Sequence, residues 1–299
     1  MGHPSASERV AAVVVTFNRR EVLREALNAL LSQTVPLTVL VVDNGSGDST
    51  GRMIEAEFPD VVYLGQADNL GPAGGFAVGV EEALRRGAAW VWLFNDDDRP
   101  SPDALAHLLE RVGPGTEKPA DLIGCWLRGE GGEILTRGVL WRSREVDIAA
   151  PAQGAAPYPA DIHVFSGLLV SREVVETVGV PRREYFMMME EIEYCLRARR
   201  HGFHLLMVPE PLVESKNLGS RIASTPPWKG YYQTRNHLVM ALSHRSWPEV
   251  AWWAIRQVKF VVAAVAMLDR KATRVGFRIS GAWDALRGRM GRRSGAAHA

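Results

Sequence analysis

Two kinds of segment alternate along the first hundred residues of the chain. Short β-branched or aromatic runs, typical of buried strands, occupy residues 10–15, 37–42, 61–64 and 90–94. Stretches with helical signals follow three of them, at 21–31, 43–50 (a turn leading into a helix N-cap) and 76–86. Strands that alternate with helices predict an α/β fold, with a doubly wound, mostly parallel sheet flanked by helices.

Polar side chains follow each predicted strand at the point where it ends. Thr16 and Asn18 follow the first run, Asp43 the second, Asn69 the third and an acidic triplet the fourth. A single such residue is usually a helix cap. Four clusters at corresponding strand ends favour a ligand site, because ligands of open parallel sheets bind beyond the carboxyl ends of the strands.

The acidic triplet Asp96–Asp98 directly follows the apolar run Trp90–Phe94. Adjacent carboxylates repel one another, so their collection at a buried strand end suggests a bound cation. Mg²⁺ and Mn²⁺ take oxygen ligands and keep positions free for substrate phosphates. A solvated loop is the alternative for an arbitrary acidic turn, but the buried character of the strand favours the metal site.

A glycine-rich segment, residues 69–76, lies between the third predicted strand and the helix after it. Its glycines permit close approach of a ligand to the backbone, and the helix N-terminus behind them is suited to a diphosphate or a sugar. The spacing matches neither the Rossmann fingerprint nor the Walker loop. Gly74 and Gly75 alone would also be compatible with a flexible turn.

A second carboxylate cluster, Glu190, Glu191 and Glu193, follows the aromatic and methionine run 185–189. The chain reads as a helix from Glu191 onward, so these glutamates would stabilise its first turn through the helix dipole. The preceding run is suited to the wall of a pocket, which gives the same glutamates a second interpretation as chemical groups.

Together these segments resemble the family 2 glycosyltransferases, inverting sugar transferases of the GT-A fold. The matching motifs are Val-Thr-Phe-Asn-Arg (15–19), Val-Val-Asp-Asn-Gly-Ser (41–46), Asn-Leu-Gly-Pro-Ala-Gly-Gly-Phe (69–76), Asn-Asp-Asp-Asp-Arg-Pro-Ser-Pro-Asp-Ala-Leu (95–105), Phe-Ser-Gly (165–167), residues 186–202 and Tyr-Tyr-x-x-Arg-Asn (231–236). The motifs look most like the bacterial galactofuranosyltransferase and rhamnosyltransferase branches, which use UDP-galactofuranose or a dTDP-6-deoxysugar.

The resemblance covers residues 9–240 and implies one GT-A domain over 1–240. Its nucleotide-sugar half would span 1–110 and its acceptor and catalytic half 160–240. The Pro/Ala/Gly composition of residues 149–157 predicts a linker between the two halves. Residues 241–299 would form a basic, tryptophan-containing helical appendage.

The resemblance also implies the donor site. The residues expected to contact a UDP- or dTDP-linked donor are Thr16, Asn18, Arg19, Asp43, Asn69, Gly74, Gly75 and Asp96. Mg²⁺ or Mn²⁺ would be held by the acidic triplet, whose register is open: alignment from Pro102 makes Asp97 the main ligand, whereas a literal reading pairs Asp96 with Asp98. We expect Asp97, followed by Asp98.

On the acceptor side, the resemblance makes Glu191 the general base that deprotonates the acceptor hydroxyl, assisted by Glu190. Glu193, Trp228 and Arg235 would bind the acceptor, a glycan, lipid-linked or small molecule. Two features depart from the family. Glu stands where Asp is commoner at the base position, and no histidine follows the strand after the base helix. Either Glu214 replaces that histidine as an oxygen ligand, or Lys216 supplies the positive charge, or metal binding is weakened.

The net charge of +1 over 299 residues hides an asymmetry, because ten basic and two acidic residues lie beyond position 250. With Trp252, Trp253 and the apolar run 260–268, this region suits an interfacial helix on an anionic membrane. A helix packed on the domain or at a homodimer interface is the alternative. Two cysteines without motif spacing and a polar N-terminus predict a cytoplasmic location, and nothing predicts nucleic-acid binding.

Two other functions are compatible with parts of this pattern. The missing histidine and the Glu at the base position would also fit a sugar-nucleotide-binding pseudoenzyme. A nucleotidyltransferase likewise combines an α/β nucleotide site with carboxylate-bound Mg²⁺, but the early loop lacks the Gly-rich, basic signature expected to hold a triphosphate.

Overall fold

A single mixed sheet forms the centre of the computed structural model, which describes residues 9–111, 120–136, 138, 152–216, 226–267 and 270–293. Its strands are β1 (Val10–Thr16), β2 (Thr38–Asp43), β3 (Val62–Gly65), β4 (Trp90–Asn95), β5 (Asp98–Pro100), β6 (Leu122–Arg128), β7 (Ile134–Thr136), β8 (Tyr158–Ala160), β9 (Leu168–Ser171) and β10 (Leu205–Ser215).

Helices cover the sheet and extend beyond it. They are α1 (Arg20–Leu31), α2 (Thr50–Glu57), α3 (Gly71–Arg85), α4 (Ala104–Leu109), α5 (Arg172–Val178), α6 (Glu190–Arg200), α7 (Lys229–Ser243), α8 (Trp247–Met267) and α9 (Lys271–Leu286), with a 3₁₀ turn at Arg183–Tyr185. Residues 149–151 of the expected linker lie outside the described residues, and 152–157 lead into β8.

The strand order is β3-β2-β1-β4-β9-β6-β10-β5, with β7 on β6 and β8 on β10. The four strands from β3 to β4 are parallel, and antiparallel pairing enters where β9 joins β4 and β6. The predicted α/β class, a doubly wound sheet flanked by helices, is confirmed. Because β1 and β4 are parallel neighbours, Val15 lies opposite Asn95 and both strands end at one edge.

Alternation along β1 creates a core on each face of the sheet. Val13 and Val15 pack in a cluster with Phe76 of α3, whereas Val14 packs with Leu27 of α1 on the opposite face. A strand buried on both faces reads as a continuous apolar run, which explains why the sequence pattern located these strands within one or two residues.

The start of α3 differs from the prediction. A helix was expected from Phe76 after a glycine-rich loop, but the helix begins at Gly71, with Pro72 in its first turn. Proline is compatible with that position because its missing N–H would be unpaired there. A Cβ on Gly75 would stand 2.6 Å from Val15 Cγ1, and one on Gly79 would stand 2.2 Å from Val13 Cγ1. These glycines therefore let the helix approach β1 closely.

The C-terminal helices are joined to the rest of the chain through α7. A Cβ on Gly281 of α9 would lie 2.5 Å from the Tyr231 carbonyl oxygen, so these two helices cross in close contact. The buried Arg278 donates to Thr234 Oγ1 at 3.2 Å and to Gln257 Oε1 of α8 at 3.0 Å. Among the described residues beyond 240, α8 and α9 are helical, and both contact α7 of the domain.

Candidate functional site

A cavity of about 720 Å³ opens at the carboxyl ends of β1 and β4. The N-terminus of α3, the loop before α6, the end of β10 and the start of α7 complete its wall. The lining residues are Val15, Thr16, Phe17, Asn18, Arg19, Asn44, Asn69, Gly71, Pro72, Asn95, Asp96, Asp97, Phe186, Met187, Ser215, Trp228, Lys229, Tyr232 and Arg292. Six residues of the expected donor and metal sets lie here: Thr16, Asn18, Arg19, Asn69, Asp96 and Asp97.

Two buried carboxylates form the acidic part of this cavity. Asp96 accepts hydrogen bonds from Thr16 Oγ1 at 2.8 Å and from Arg19 Nη1 at 2.6 Å. The same guanidinium donates to Asp97 Oδ2, at 3.2 Å from Nη2. Burial raises the pKa of Asp96 to about 6, although Arg19 and the Thr16 hydroxyl oppose the shift. Arg19 thus bridges two carboxylates that would otherwise repel each other.

The third carboxylate of the triplet lies elsewhere. Asp98 begins β5, is fully buried and is not among the residues that line the cavity. Its Oδ2 accepts the Asn95 backbone N–H at 2.8 Å, whereas Oδ1 is buried without a hydrogen-bond partner among the described residues. Burial raises its pKa to about 7. This placement brings Asp96 and Asp97 to the cavity and leaves Asp98 outside its lining.

The loop after β2 contributes a different residue from the one expected. Asp43 is buried, accepting the Ser46 backbone N–H and the Tyr63 hydroxyl, each at 2.9 Å. Its neighbour Asn44 lines the cavity instead. Asn18, in the left-handed backbone region with φ 53°, accepts the Gly47 N–H at 2.7 Å and so joins the two loops.

The α3 N-terminus presents Gly71 and Pro72 to the cavity, with the Asn69 side chain accepting the Gly71 N–H at 2.8 Å. Gly74 and Gly75 are buried and lie outside the lining. A Cβ on Gly74 would meet Leu70 Cβ at 2.6 Å, so both glycines serve helix packing. The structure therefore does not bring these two expected donor-binding residues to the cavity.

At the end of β10, Ser215 is the residue that faces the cavity. Glu214 and Lys216, the two candidates to replace the family histidine, point to the other side of the sheet edge. Glu214 pairs with Arg128 at 3.5 Å and Lys216 with Glu25 at 2.8 Å. Alternation along the strand explains the result, because neighbours of a residue that faces the cavity point away from it.

The candidate base Glu191 lies in the first turn of α6, half-buried, and its Oε1 accepts the Phe165 backbone N–H at 2.9 Å. The adjacent Ser166 accepts a hydrogen bond from Asn95, which lines the cavity. Glu190 is buried beside it, with Oε2 unpartnered among the described residues. Burial raises the pKa of both carboxyls, and the Glu191 charge raises that of Glu190 further. Neither residue belongs to the cavity lining.

Two expected acceptor-binding residues occupy structural networks. Glu193 is fully buried and pairs with Arg197 at 3.0 Å. It does not line the cavity. Arg235 is also buried and donates to the Tyr185 carbonyl at 2.9 Å. The acceptor role expected for these two residues does not fit these positions, whereas Trp228, the third, lines the cavity.

Arg235 and its neighbour Asn236 hold the loop that carries Phe186 and Met187 into the cavity. Phe186, Met188 and Met189 have φ values of 63°, 65° and 73°, a region costly for residues other than glycine. The Asn236 amide donates to the carbonyls of Met187 and Met188, each at 2.8 Å. The Arg-Asn motif thus maintains a strained cavity wall.

Sequence reasoning expected Arg19 in the cavity but missed its two other basic residues, Lys229 and Arg292. Lys229 is the first residue of α7 and Arg292 follows α9, and both residues line the cavity. Lys229 follows Trp228, which was expected at the site, so its position offered a signal. Arg292 offered none, because it belongs to a basic stretch that looks like solvated surface.

The described residues contain no group of three or more His, Cys, Asp and Glu side chains arranged to hold a metal ion. Mg²⁺ often binds through one or two carboxylates together with substrate phosphates. Asp96 and Asp97 supply such a pair, so the cavity fits an ion shared with a bound diphosphate. An ion there would compete with Arg19 for these oxygens.

The family described as "Glycosyltransferase like family 2" matches residues 7–241. Galactofuranosyltransferase GlfT1 of Mycobacterium tuberculosis is 37% identical over 203 residues, which are 66% of this chain and 66% of that protein. The dTDP-rhamnosyl transferase RfbF of Shigella flexneri is 23% identical over 259 residues, covering 78% and 80%. The match to GlfT1 thus spans about two thirds of that relative's length.

Solved structures share the fold at lower identity. The crystal structure of S. aureus TarS 1-349 in complex with UDP-GlcNAc has a TM-score of 0.60 at 14% identity, covering 93% of this chain and 81% of the other. Mannosyltransferase PcManGT from Pyrobaculum calidifontis, in complex with GDP-Man and Mn²⁺, has a TM-score of 0.57 at 17% identity, covering 93% and 87%.

Proposed function

Since the chain belongs to the glycosyltransferase-like family 2, we propose that it transfers a sugar from a nucleotide-diphosphate donor to an acceptor hydroxyl with inversion at the anomeric carbon. The observation that carries the proposal is the cavity at the carboxyl ends of β1 and β4. There, Thr16, Arg19, Asp96 and Asp97 form one hydrogen-bonded group. This is the edge of an α/β sheet where nucleotides bind.

A UDP- or dTDP-linked sugar is the proposed donor, with galactofuranose or a 6-deoxysugar as the transferred group. The names of two relatives, a galactofuranosyltransferase and a dTDP-rhamnosyl transferase, support this choice. Asn18, Asn44 and Asn69 provide amides and backbone groups along the cavity wall. Such groups suit the hydroxyls and carbonyls of a base, a ribose and a sugar.

Asp97, with Asp96 beside it, would hold Mg²⁺ or Mn²⁺. Such an ion neutralises the charge that develops on the diphosphate leaving group. Arg19 keeps these carboxylates within 3.2 Å of its guanidinium nitrogens. It would therefore preserve their geometry before the donor binds.

Glu191 is the proposed general base. A base must be ionised near the operating pH yet basic enough to take a hydroxyl proton, and burial raises the pKa of Glu191 in that direction. Its bond to the Phe165 N–H holds one oxygen, which leaves the other to accept the acceptor's proton. Glu190, the proposed assisting carboxyl, is buried beside it, and its own pKa is raised by burial and by the Glu191 charge.

The proposal is tested with UDP-, dTDP- and GDP-sugars in a thermal-shift panel, with and without Mn²⁺, because a ligand that binds the native state raises apparent stability. Donor hydrolysis and transfer are then followed with the donor that binds. Binding without turnover would favour a pseudoenzyme. Release of pyrophosphate from a nucleoside triphosphate and a sugar phosphate would instead identify a nucleotidyltransferase.

We further propose that the C-terminal helices rest on an anionic membrane surface at its inner face, where a lipid-linked acceptor would be presented. None of the helices in the described part of the chain is both long and apolar enough to span a bilayer. Each of the last two carries an exposed apolar row, however. On α8 it comprises Ile255, Val258 and Val262, exposed by 46%, 65% and 62%, and on α9 Ile279, Trp283 and Leu286, exposed by 66%, 54% and 67%.

The two tryptophans expected to form this membrane face, Trp252 and Trp253, have different surroundings. Trp253 donates its indole N–H to the Thr234 carbonyl of α7 at 3.0 Å, so it anchors α8 to the domain. Trp252 is half-buried beneath the Lys259 ammonium, 5.3 Å from the ring centre. On α9, the Arg287 guanidinium stacks 4.2 Å from the Trp283 ring. A basic group beside an exposed aromatic ring suits the headgroup region of a bilayer.

A further inference from the structure

The segment that follows α9 returns to the wall of the cavity. The Gly291 N–H donates to the Glu184 carbonyl at 2.7 Å, and the Gly291 carbonyl accepts from Arg235 Nη1 at 2.6 Å. The next residue but one, Arg293, donates its backbone N–H to the Tyr232 hydroxyl at 3.0 Å. Bonds on both sides of residue 292 therefore fix its backbone against the 3₁₀ turn and α7.

This anchoring places the Arg292 side chain in the cavity that contains Asp96 and Asp97. The guanidinium carbon lies 6.0 Å from the Phe186 ring centre. Within the described residues, Arg292 makes no hydrogen bond or ion pair. Lys229, the other cation on this side of the cavity, lies over the Trp228 ring at 5.9 Å and is likewise unpaired there.

Two other arginines of this segment, Arg289 and Arg293, do not line the cavity. Arg289 lies 3.9 Å from Asp284, and Arg293 stacks 4.7 Å from the Tyr231 ring. The acidic groups of the cavity are already paired with Arg19. Two positive charges in one cavity repel each other, so their joint presence is best explained by an anionic ligand between them.

We propose that Arg292, together with Lys229, binds the diphosphate of the donor, so that the C-terminal segment supplies one side of the nucleotide-sugar site. This inference rests on the proposed function, since the diphosphate is the donor's anionic group. Arginine is suited to the task because its planar donors pair with two phosphate oxygens at once. The segment then provides the positive charge that was expected from Lys216, which pairs with Glu25 outside the cavity.

The test is calorimetric titration of uridine, UMP and UDP, and of the thymidine series, into the full chain and into Arg292→Gln with Mn²⁺ present. Loss of a charged hydrogen-bond pair predicts UDP or dTDP binding weakened about 10- to 100-fold, whereas nucleoside binding should change less than about twofold because it lacks the phosphates. Arg292→Lys should fall between the two, because it keeps the charge and loses the planar fork.

Arg289→Gln is the matched control, because Arg289 lies three residues earlier in the same segment, with its side chain 66% exposed and directed to Asp284. It should bind UDP as the parent does. Arg292 is itself exposed, so its replacement should leave the melting temperature unchanged, and that measurement accompanies the titrations.

The outcomes separate this inference from the proposed function. If the parent binds UDP or dTDP and Arg292→Gln binds it equally well, the role of Arg292 is refuted and the donor site stands. An unchanged UDP affinity with a raised KM for a lipid-phosphate acceptor would assign the residue to the acceptor and overturn the proposal. If the parent protein binds neither UDP nor dTDP, both the role of Arg292 and the proposed function are refuted.

Discussion

Replacement of Glu191 by glutamine isolates the proposed base from the structure around it. The side chain keeps its size, and an amide oxygen can accept the Phe165 N–H as the carboxylate does at 2.9 Å. The loop that carries Phe165 and Ser166 should therefore keep its position. What is lost is one ionisable oxygen, the group assigned to the acceptor's proton.

The Glu191→Gln substitution should have one effect on the free energy of unfolding and another on the rate of transfer. Because the backbone bond is retained, the free energy of unfolding should change by less than about 1 kcal/mol. Transfer should fall by about 10²–10⁴, the usual contribution of a general base, which corresponds to roughly 3–5 kcal/mol in the barrier. Burial raises the pKa of Glu191, so kcat/KM of the parent protein should rise with pH as this carboxyl ionises. The Glu191→Gln variant should lack this increase of kcat/KM with pH.

The assay is steady-state transfer across pH, with donor affinity measured in parallel by titration. Glu176→Gln is the matched control, since this glutamate is 57% exposed and pairs with Arg172 on the surface of α5. It should retain parental turnover. Near-parental turnover in Glu191→Gln, with donor affinity intact, would refute the assignment and move the search for the base to Glu190.

Three further results are expected. Asp97→Ala should abolish Mn²⁺-dependent donor binding in the thermal-shift assay while the fold is kept, and parental binding of donor and Mn²⁺ would exclude the site. Burial raises the pKa of Glu190, so the native state holds this proton more tightly than the unfolded chain does. The free energy of unfolding should therefore fall as pH rises above the ordinary glutamate pKa of about 4.3. Glu190→Gln should reduce this pH dependence in urea denaturation. Trp283→Glu should reduce co-sedimentation with anionic liposomes, whereas Leu31→Glu, at an exposed position on α1, should not.

The sequence predicted the sheet and the residues that end its strands at the cavity well, because their signals are local. A strand buried on both faces reads as one apolar run, and the polar residue that ends it marks the edge. Thr16, Asp96 and Asp97 come together for this reason. The two strand ends lie 80 residues apart in the chain, yet Thr16 and Asp96 are joined by a 2.8 Å hydrogen bond.

The position of Asp98 depends on a long-range contact that the sequence pattern does not show. Asp98 is removed from the cavity because it pairs with Ser215 in an antiparallel ladder between β5 and β10. Nothing within the triplet distinguishes a turn residue from the first residue of a strand. The pairing partner lies more than a hundred residues later, so only the folded chain could identify Asp97 as the end of the turn.

Glu193 is a different case, because local geometry was sufficient. Successive helix residues are 100° apart, so Glu193 lies about 200° from Glu191 and faces nearly the opposite side of α6. Arg197, four residues further on, shares that face and pairs with it at 3.0 Å. The acceptor role expected for Glu193 was inconsistent with the helix that the same sequence predicted.

The two proposals for the C-terminal region predict separable effects, although α9 is involved in both. Gly281 and Arg278 hold α9 against α7 through a close backbone approach and buried hydrogen bonds. The exposed Trp283 lies on the opposite side, where substitution breaks none of these contacts. Trp283→Glu should therefore weaken liposome binding and leave UDP affinity unchanged, whereas Arg292→Gln should do the reverse. Retained liposome binding by Trp283→Glu, with a dimer in light scattering, would instead make the apolar rows an interface between copies of the chain.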